Sequence, residues 1–227
     1  SPNDARLIHA IKLEYRVAAD AVDGFASGAL DPRNVMAVND AKPPPPLKQR
    51  AIPAYFLHPN RTKALFAQFY RSVISNAPLP YAEMTPAAPE ELFDAQGAHD
   101  TALLAQPNGV GKMLGTLMLP AVNSLLDRNC RIECTLAATR VIVAARRYRV
   151  RHETFPESLS ELPPDLLDAV PIDPFDGRPL RYDPSRAVVY SVGADLEDNG
   201  GSTKPTNAEE PRPNRWNAPD AVFELES

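Results

Sequence analysis

The chain has 227 residues, 44% of them hydrophobic and 23% charged, and its formal net charge is −5. This composition is enough for one large domain or two small ones, and the acidic balance argues against a dedicated nucleic-acid-binding protein. No apolar run approaches the roughly 18 residues that a membrane-spanning helix needs, and no secretory signal is visible. Since the chain begins with Ser1 rather than methionine, we expect a processed chain with a membrane anchor upstream.

Proline is about twice as frequent as in an average protein, with 25 prolines against only 10 glycines. Many turns are therefore fixed, which indicates long, ordered and irregular connections. The clearest connection is a linker over residues 31–53, in which the four consecutive prolines at 43–46 form a stiff polyproline spacer. Binding of these prolines by an aromatic groove is an alternative role.

Hydrophobic residues recur at three- and four-residue spacing in several segments, which predicts amphipathic helices. The first covers residues 5–25, and its apolar stripe needs a packing partner, which we expect to be the helix at 125–152 or its neighbours. Another helix covers residues 60–75, a short one begins near Pro89, and an apolar segment at 113–126 is interrupted by Pro120.

The longest predicted helix covers residues 125–152 and carries Cys130 and Cys134 on one stripe. Two cysteines four residues apart on a helix project in parallel, which makes a disulfide between them awkward, so we expect two buried, reduced thiols. A half-site for a soft metal is the alternative. After the helix, Ser158 and Glu161 match a capping box.

From residue 171 onward the pattern changes to short extended segments separated by turns. This change of period predicts an α+β fold in two regions. A mainly helical N-terminal region covers residues 1–124, and residues 125–227 form a long helix packed on a small antiparallel β-sheet.

Charge is unevenly distributed along the second region. Residues 128–151 contain seven arginines against the single acid Glu133, whereas residues 153–201 contain eleven acids against three arginines. We expect these two segments to pair within one domain, and a nucleic-acid patch on the basic segment is the alternative.

The acidic segment ends in a loop that carries four oxygen-bearing side chains within five residues, directly before two glycines: Asp195, Glu197, Asp198 and Asn199. Hard oxygen ligands on a tight turn are what calcium prefers. The spacing follows the start of an EF-hand loop, but Thr206 stands where that loop needs a bidentate glutamate, so the segment is not an EF-hand. The loop therefore indicates a calcium site, and an acidic, solvated turn without an ion is the alternative.

Three local patterns do not lead to an active site. Residues 109–112 lack the flanking glycine and Ser or Thr of a phosphate-binding loop, so we exclude nucleotide binding. Ser191 ends a predicted strand, but Val189 stands where a nucleophile elbow requires glycine. The histidines are scattered along the chain: His9, His58, His99 and His152.

Four motifs follow one another in the second region: RYRVRHETFPESL at 147–159, DPFDGRPLRY at 173–182, YSVGAD with DNGG at 190–201, and WNAPDAVFEL at 216–225. In this order they resemble the globular domain of type II secretion major pseudopilins, a cassette also found at the C-terminus of uncharacterised bacterial envelope proteins. The resemblance covers about residues 125–227. It implies a helix, a turn leading into a three-stranded antiparallel sheet, and a calcium-binding loop.

For this chain the resemblance implies calcium ligands at five positions, with backbone carbonyls between residues 191 and 202 completing the shell: Asp195, Asp198, Glu197, Asn199 and Ser191. It also implies a non-enzymatic structural or interaction protein of the bacterial cell envelope, extracytoplasmic and membrane-anchored, with protein partners and a link to type II secretion. An extracytoplasmic hydrolase or metalloenzyme, with its site between the two regions, is the alternative.

Overall fold

A computed structural model describes residues 2–30, 54–85, 87–95, 103, 105–204 and 214–226. The predicted linker at 31–53 lies outside these residues. The chain forms two compact units, which we call the helical unit (1–78 and 85–125) and the sheet unit (79–84 and 126–227). Helices dominate the first and a small sheet lies in the second, so the predicted α+β class is confirmed. None of the helices in the described ranges is long and apolar enough to cross a membrane.

The helical unit is built on two helices, α1 (Pro2–Ser27) and α2 (Pro59–Asn76). Their apolar stripes pack against each other, and Tyr15 of α1 meets Tyr70 of α2 edge to face at a ring separation of 5.6 Å. The most deeply buried residues of α1 recur at three- to four-residue intervals around Tyr15: Ile11, Ala18, Val22 and Phe25. The stripe of α1 therefore finds the partner that it needs in α2.

Two shorter helices complete the described part of this unit, α3 (Pro89–Leu92) and α4 (Gly109–Met118). Phe93, which directly follows α3, packs on Phe66 of α2 at a ring separation of 5.7 Å. The same ring lies against Gly115 of α4, where an added Cβ would lie 2.7 Å from it. The glycine therefore lets α4 approach this aromatic pair closely.

The longest helix, α5 (Pro120–His152), begins before the predicted start at residue 125. Proline lacks the N–H that the first turn of a helix leaves without an intrahelical acceptor, so Pro120 suits the first helical position. The predicted interruption at Pro120 is thus the junction between α4 and α5. The helix ends where Glu153 adopts a left-handed backbone conformation, with φ at 67°.

The sheet has three antiparallel strands in chain order, β1 (Arg181–Asp183), β2 (Val188–Ser191) and β3 (Ala221–Glu224). Tyr182 of β1 and Phe223 of β3 both pair with Val189 in the central strand. The three-stranded antiparallel arrangement expected from the resemblance is present.

The core of the sheet unit lies between α5 and the sheet. The buried face of α5 consists mainly of small side chains: Cys130, Cys134, Ala137, Ala138, Val141, Ala144 and Ala145. Small residues let a helix approach its neighbour closely, so larger side chains can fill the space from the other side. These are Phe175, Val189, Phe223 and Leu225.

Two details differ from the sequence analysis. The capping box predicted from Ser158 and Glu161 is wrong, because the Glu161 carboxylate accepts a hydrogen bond from the Glu157 N–H at 2.9 Å and the Ser158 side chain makes no cap. The segment Leu79–Met84, assigned from sequence to the N-terminal region, packs within the sheet unit. Its Tyr81 N–H donates to the carbonyl of Pro174 at 2.9 Å.

Candidate functional site

The loop predicted to bind calcium begins where β2 ends. We call residues 192–202 the acidic loop. A short helical turn, Gly193–Asp195, opens it, and Leu196 follows with a positive φ of 63°. Gly200 and Gly201 also have positive φ values, of 65° and 71°, which glycine adopts at little cost. The glycine pair therefore permits the sharp turn expected from the sequence.

The carboxylates of the acidic loop accept hydrogen bonds mainly from the loop's own backbone. Asp195 Oδ1 accepts from the Glu197 N–H at 3.2 Å. Asp198 Oδ1 accepts from the Gly200 N–H at 3.0 Å and from the Tyr190 hydroxyl at 3.3 Å. These N–H and O–H donors stabilise the negative charges of the two carboxylates. Hydrogen bonds within the protein therefore hold the conformation of the loop.

Asn199 and Ser191 form hydrogen bonds with groups other than these carboxylates. The Asn199 amide nitrogen donates to the Glu197 carbonyl at 3.1 Å. The Ser191 hydroxyl is buried below the loop, where it donates to Asp173 Oδ1 at 2.9 Å and accepts from the Gly193 N–H at 3.1 Å. Ser191 therefore belongs to a separate polar network.

As folded, the carboxylates of the acidic loop do not form a complete calcium-binding shell. Within the described ranges, no three Asp, Glu, His or Cys side chains come together as a metal-binding group. Calcium needs six to eight oxygens at 2.3–2.6 Å, and the carboxylate oxygens of Asp195 and Asp198 face N–H and O–H donors. Calcium binding at this loop stays a prediction.

Asp220, which sequence reasoning missed, closes the acidic loop. This residue is fully buried and stands just before β3. Its Oδ1 accepts from the Asn199 N–H at 3.3 Å, and its Oδ2 accepts from the Gly201 and Ser202 N–H groups at 2.7 and 3.1 Å. The one sequence signal was a lone acid between Pro219 and an apolar strand, a position where a charge is buried only if it is bonded.

Asp173 is the centre of the second polar network. Its Oδ1 accepts from the Phe175 N–H at 3.0 Å as well as from Ser191, and its Oδ2 accepts from the Val192 N–H at 3.1 Å. The Arg181 guanidinium pairs with Oδ2 at 3.1 Å. Burial raises the pKa of Asp173 above its ordinary value, while the three hydrogen bonds oppose that rise. This network joins the turn at 173–177 to the end of β2.

Arg181 connects the two networks. Besides Asp173, its guanidinium pairs with Asp176, and its Nε lies 3.6 Å from Asp198 Oδ2. The Arg181 guanidinium thus interacts with three carboxylates, those of Asp173, Asp176 and Asp198. The hydrogen bond that the Arg181 guanidinium donates to Asp176 is the main reason why the pKa of Arg181 is raised.

The two cysteines lie on the buried face of α5, as the sequence predicted, and both are free thiols. Burial is the main cause that raises the pKa of Cys130 to about 12. The pKa of Cys134 is raised to about 12 for the same reason. Since the thiolate is the reactive form, neither side chain has the character of a nucleophile at neutral pH.

The exposed side of α5 carries aliphatic residues beside a groove. We call this surface the outer face; it consists of Ile132, Leu136, Arg140, Val143, Arg147 and Val150, all exposed. Beside Arg140 and Val143, a groove of about 620 Å³ runs to the segment at 164–172, whose Ile172 is also exposed. Several large, exposed apolar side chains in one surface region are typical of protein–protein interaction sites.

Other positions weighed in the sequence have structural contacts. Residues 109–112 begin α4, where the Val110 N–H donates to the Phe56 carbonyl at 2.9 Å and is not available to a phosphate. The Lys112 ammonium donates to Gln106 Oε1 at 2.7 Å. His152 stacks on Tyr148 at a ring separation of 4.1 Å.

Comparison with known proteins returned no match for this chain among protein-family models, curated proteins or solved structures. The resemblance to pseudopilins therefore stays a prediction that rests on four motifs.

Proposed function

We propose that this protein is a non-enzymatic structural and interaction component of the bacterial cell envelope, which binds a protein partner through the outer face of α5. The proposal places it outside the cytoplasm, anchored to the membrane and linked to type II secretion. The resemblance of residues 125–227 to pseudopilins supports that location. The observation that carries the interaction role is the exposure of the outer face.

The aliphatic residues of the outer face are exposed to an unusual degree for a helix that also builds a core. Ile132, Leu136 and Val143 are 59%, 50% and 50% exposed, and Val150 is 85% exposed. Ile132, Leu136 and Val143 recur at four- and seven-residue intervals, so they form a second apolar stripe on the side away from the sheet. Covering this stripe with a partner would remove apolar surface from water, which favours binding.

The charged residues of the outer face itself favour an acidic partner. Arg140 and Arg147 are exposed on it, and among the described residues neither forms an ion pair. Two copies of the chain that met through this face would bring these arginines together, which disfavours self-association there. A partner with an apolar surface surrounded by acidic residues would instead match both the apolar stripe and the two arginines.

The buried polar groups of the sheet unit support a structural role. Asp173 and Ser191 are fully buried, and their polar atoms bond to one another and to the backbone. A hydrolase or metalloenzyme would need titratable groups that converge on an open pocket. Ser191, which was weighed as a nucleophile, has Asp173 as its partner and no histidine among its described contacts.

Site-specific photocrosslinking in intact cells of the source bacterium would test the proposal. A photoreactive amino acid at Leu136 or Val143 should trap one and the same envelope protein. The matched control places it at Arg178, an exposed turn residue of the same unit. A further change of Ile132 to Asp should abolish the adduct. If positions 136, 143 and 178 give the same adducts, or none, the outer face is not an interaction surface.

A further inference from the structure

A cation from a neighbouring turn contacts the glycine end of the acidic loop. Arg186, in the turn between β1 and β2, donates from Nη1 to the Gly201 carbonyl at 2.8 Å and from Nη2 to the Gly200 carbonyl. These are two of the backbone carbonyls that the resemblance assigned to the calcium shell. A forked guanidinium can bind two such oxygens at once, because its donors are planar and fixed.

The orientation of Arg186 is set by an acid on its other side. Asp183 Oδ2 accepts from Arg186 Nε at 2.6 Å, while Asp183 Oδ1 accepts from the Ser185 hydroxyl at 2.6 Å. The guanidinium is therefore held between one carboxylate and two carbonyls. Its side chain remains 44% exposed, so the clamp works at the surface and part of its strength is screened by water.

The donors of the same two glycines are bound from the opposite side. Asp220 accepts the Gly201 N–H, and Asp198 accepts the Gly200 N–H. The N–H and carbonyl groups of both glycines are thus bonded to side chains, with a cation at the carbonyls and anions at the N–H groups. There is no room for a side chain at position 201, since an added Cβ on Gly201 would lie 2.6 Å from Arg186 Nη2.

We propose that Arg186 is the built-in cation of the acidic loop, which closes it together with Asp220 and makes its fold independent of calcium. Arg181 forms an ion pair with Asp198, and Arg186 holds the glycine end of the loop through its backbone carbonyls. The carbonyls of Gly200 and Gly201 are thus held by a side chain and not by an ion.

The test uses the full chain after treatment with a chelator and measures the melting of the sheet unit. Trp216 is the single tryptophan and contacts Phe175 and Phe223 in that unit, so its fluorescence reports the unit directly. We expect the same melting temperature with millimolar calcium as with chelator. A higher melting temperature in calcium would overturn the proposal.

Two variants test Arg186 itself. Arg186→Ala should lower the melting temperature by about 2–4 °C, while Arg147→Ala, which removes an exposed arginine from α5, should leave it unchanged. Equal melting of both variants would refute the clamp. If Arg186→Ala fails to fold, Arg186→Lys serves instead: it keeps the charge but lacks the fork, so it should melt below the unaltered protein, and melting at the same temperature would refute the clamp.

Discussion

The hydroxyl of Ser191 donates to the carboxylate of Asp173 at 2.9 Å, and both side chains are fully buried. This contact joins the end of β2 to a turn that lies 18 residues earlier in the chain. A buried carboxylate is tolerated only where donors surround it, and Asp173 has Arg181 and two backbone N–H groups in addition to Ser191. The pair therefore stabilises the sheet unit and engages the Ser191 hydroxyl in a buried hydrogen bond.

Replacing Asp173 with Ala should destabilise the sheet unit by about 3 kcal/mol or more, because it leaves the Ser191 hydroxyl and the N–H groups of Phe175 and Val192 without their acceptor. Denaturant unfolding followed by Trp216 fluorescence measures this change. Asp168→Ala, at an exposed position on the rim of the groove, is the matched control and should have little effect. Equal unfolding of the two variants would show that the network contributes nothing.

In the helical unit, Ile11→Asp should cost about 3 kcal/mol or more, since it places a charge with no partner in the buried contact between α1 and α2. Val17→Asp lies on the same helix at a position that is 62% exposed, and it should be nearly neutral. Unfolding by urea, followed by far-ultraviolet circular dichroism, compares the two. If Ile11→Asp leaves the transition unchanged, α1 does not depend on α2 for its stability.

The two thiols should react slowly in the native protein. Both are buried in α5 and their pKa values are raised to about 12, so the thiolate is scarce and shielded at neutral pH. Titration with a thiol reagent should show slow labelling of native protein and two free thiols after denaturation. Immediate labelling of both, or stoichiometric zinc by elemental analysis, would contradict this.

The turn that orients Arg186 should be sensitive to acid. Hydrogen bonds from Ser185 and Arg186 lower the pKa of Asp183 to about 2 from its ordinary value of 3.8. A lowered carboxyl pKa contributes stability above the ordinary value, and this is lost as the pH falls from about 4 to about 2. A nuclear magnetic resonance titration of the Asp183 carboxyl carbon should give a midpoint near 2. A midpoint near 4 would mean that these hydrogen bonds do not persist in solution.

The glycine pair offers a matched comparison. Alanine at Gly200 or Gly201 meets a similar cost from its positive φ, about 1 kcal/mol. Only at Gly201 does the new methyl group also meet other atoms, at 2.6 Å from Arg186 and 3.2 Å from Tyr190. Gly201→Ala should therefore lower the Trp216 melting temperature more than Gly200→Ala, which has nothing within 4 Å. The opposite order would contradict the described packing of Arg186 on the loop.

Much of the architecture was readable from local patterns. Three- and four-residue hydrophobic spacing predicted α1, α2 and α5 within a few residues of their ends, because that spacing follows from the turn of a helix. The buried positions of Cys130 and Cys134 followed from the same periodicity. The predicted start of α5 is too late, because Pro120 is the first residue of this helix and not a break within an apolar segment.

The sequence by itself thus determined the helices, the strand beginning at Val188, and the presence of clustered acids before a glycine pair. The tertiary structure decided which groups those acids bind. Ser191 donates a hydrogen bond to Asp173. The Gly201 N–H donates to Asp220, which lies 19 residues later, and the Gly201 carbonyl accepts from Arg186, which lies 15 residues earlier. Hydrophobic periodicity is a property of residues that are close in sequence. The partners of a buried or clustered charge depend instead on how the fold brings distant strands and turns together, and local spacing does not encode that arrangement.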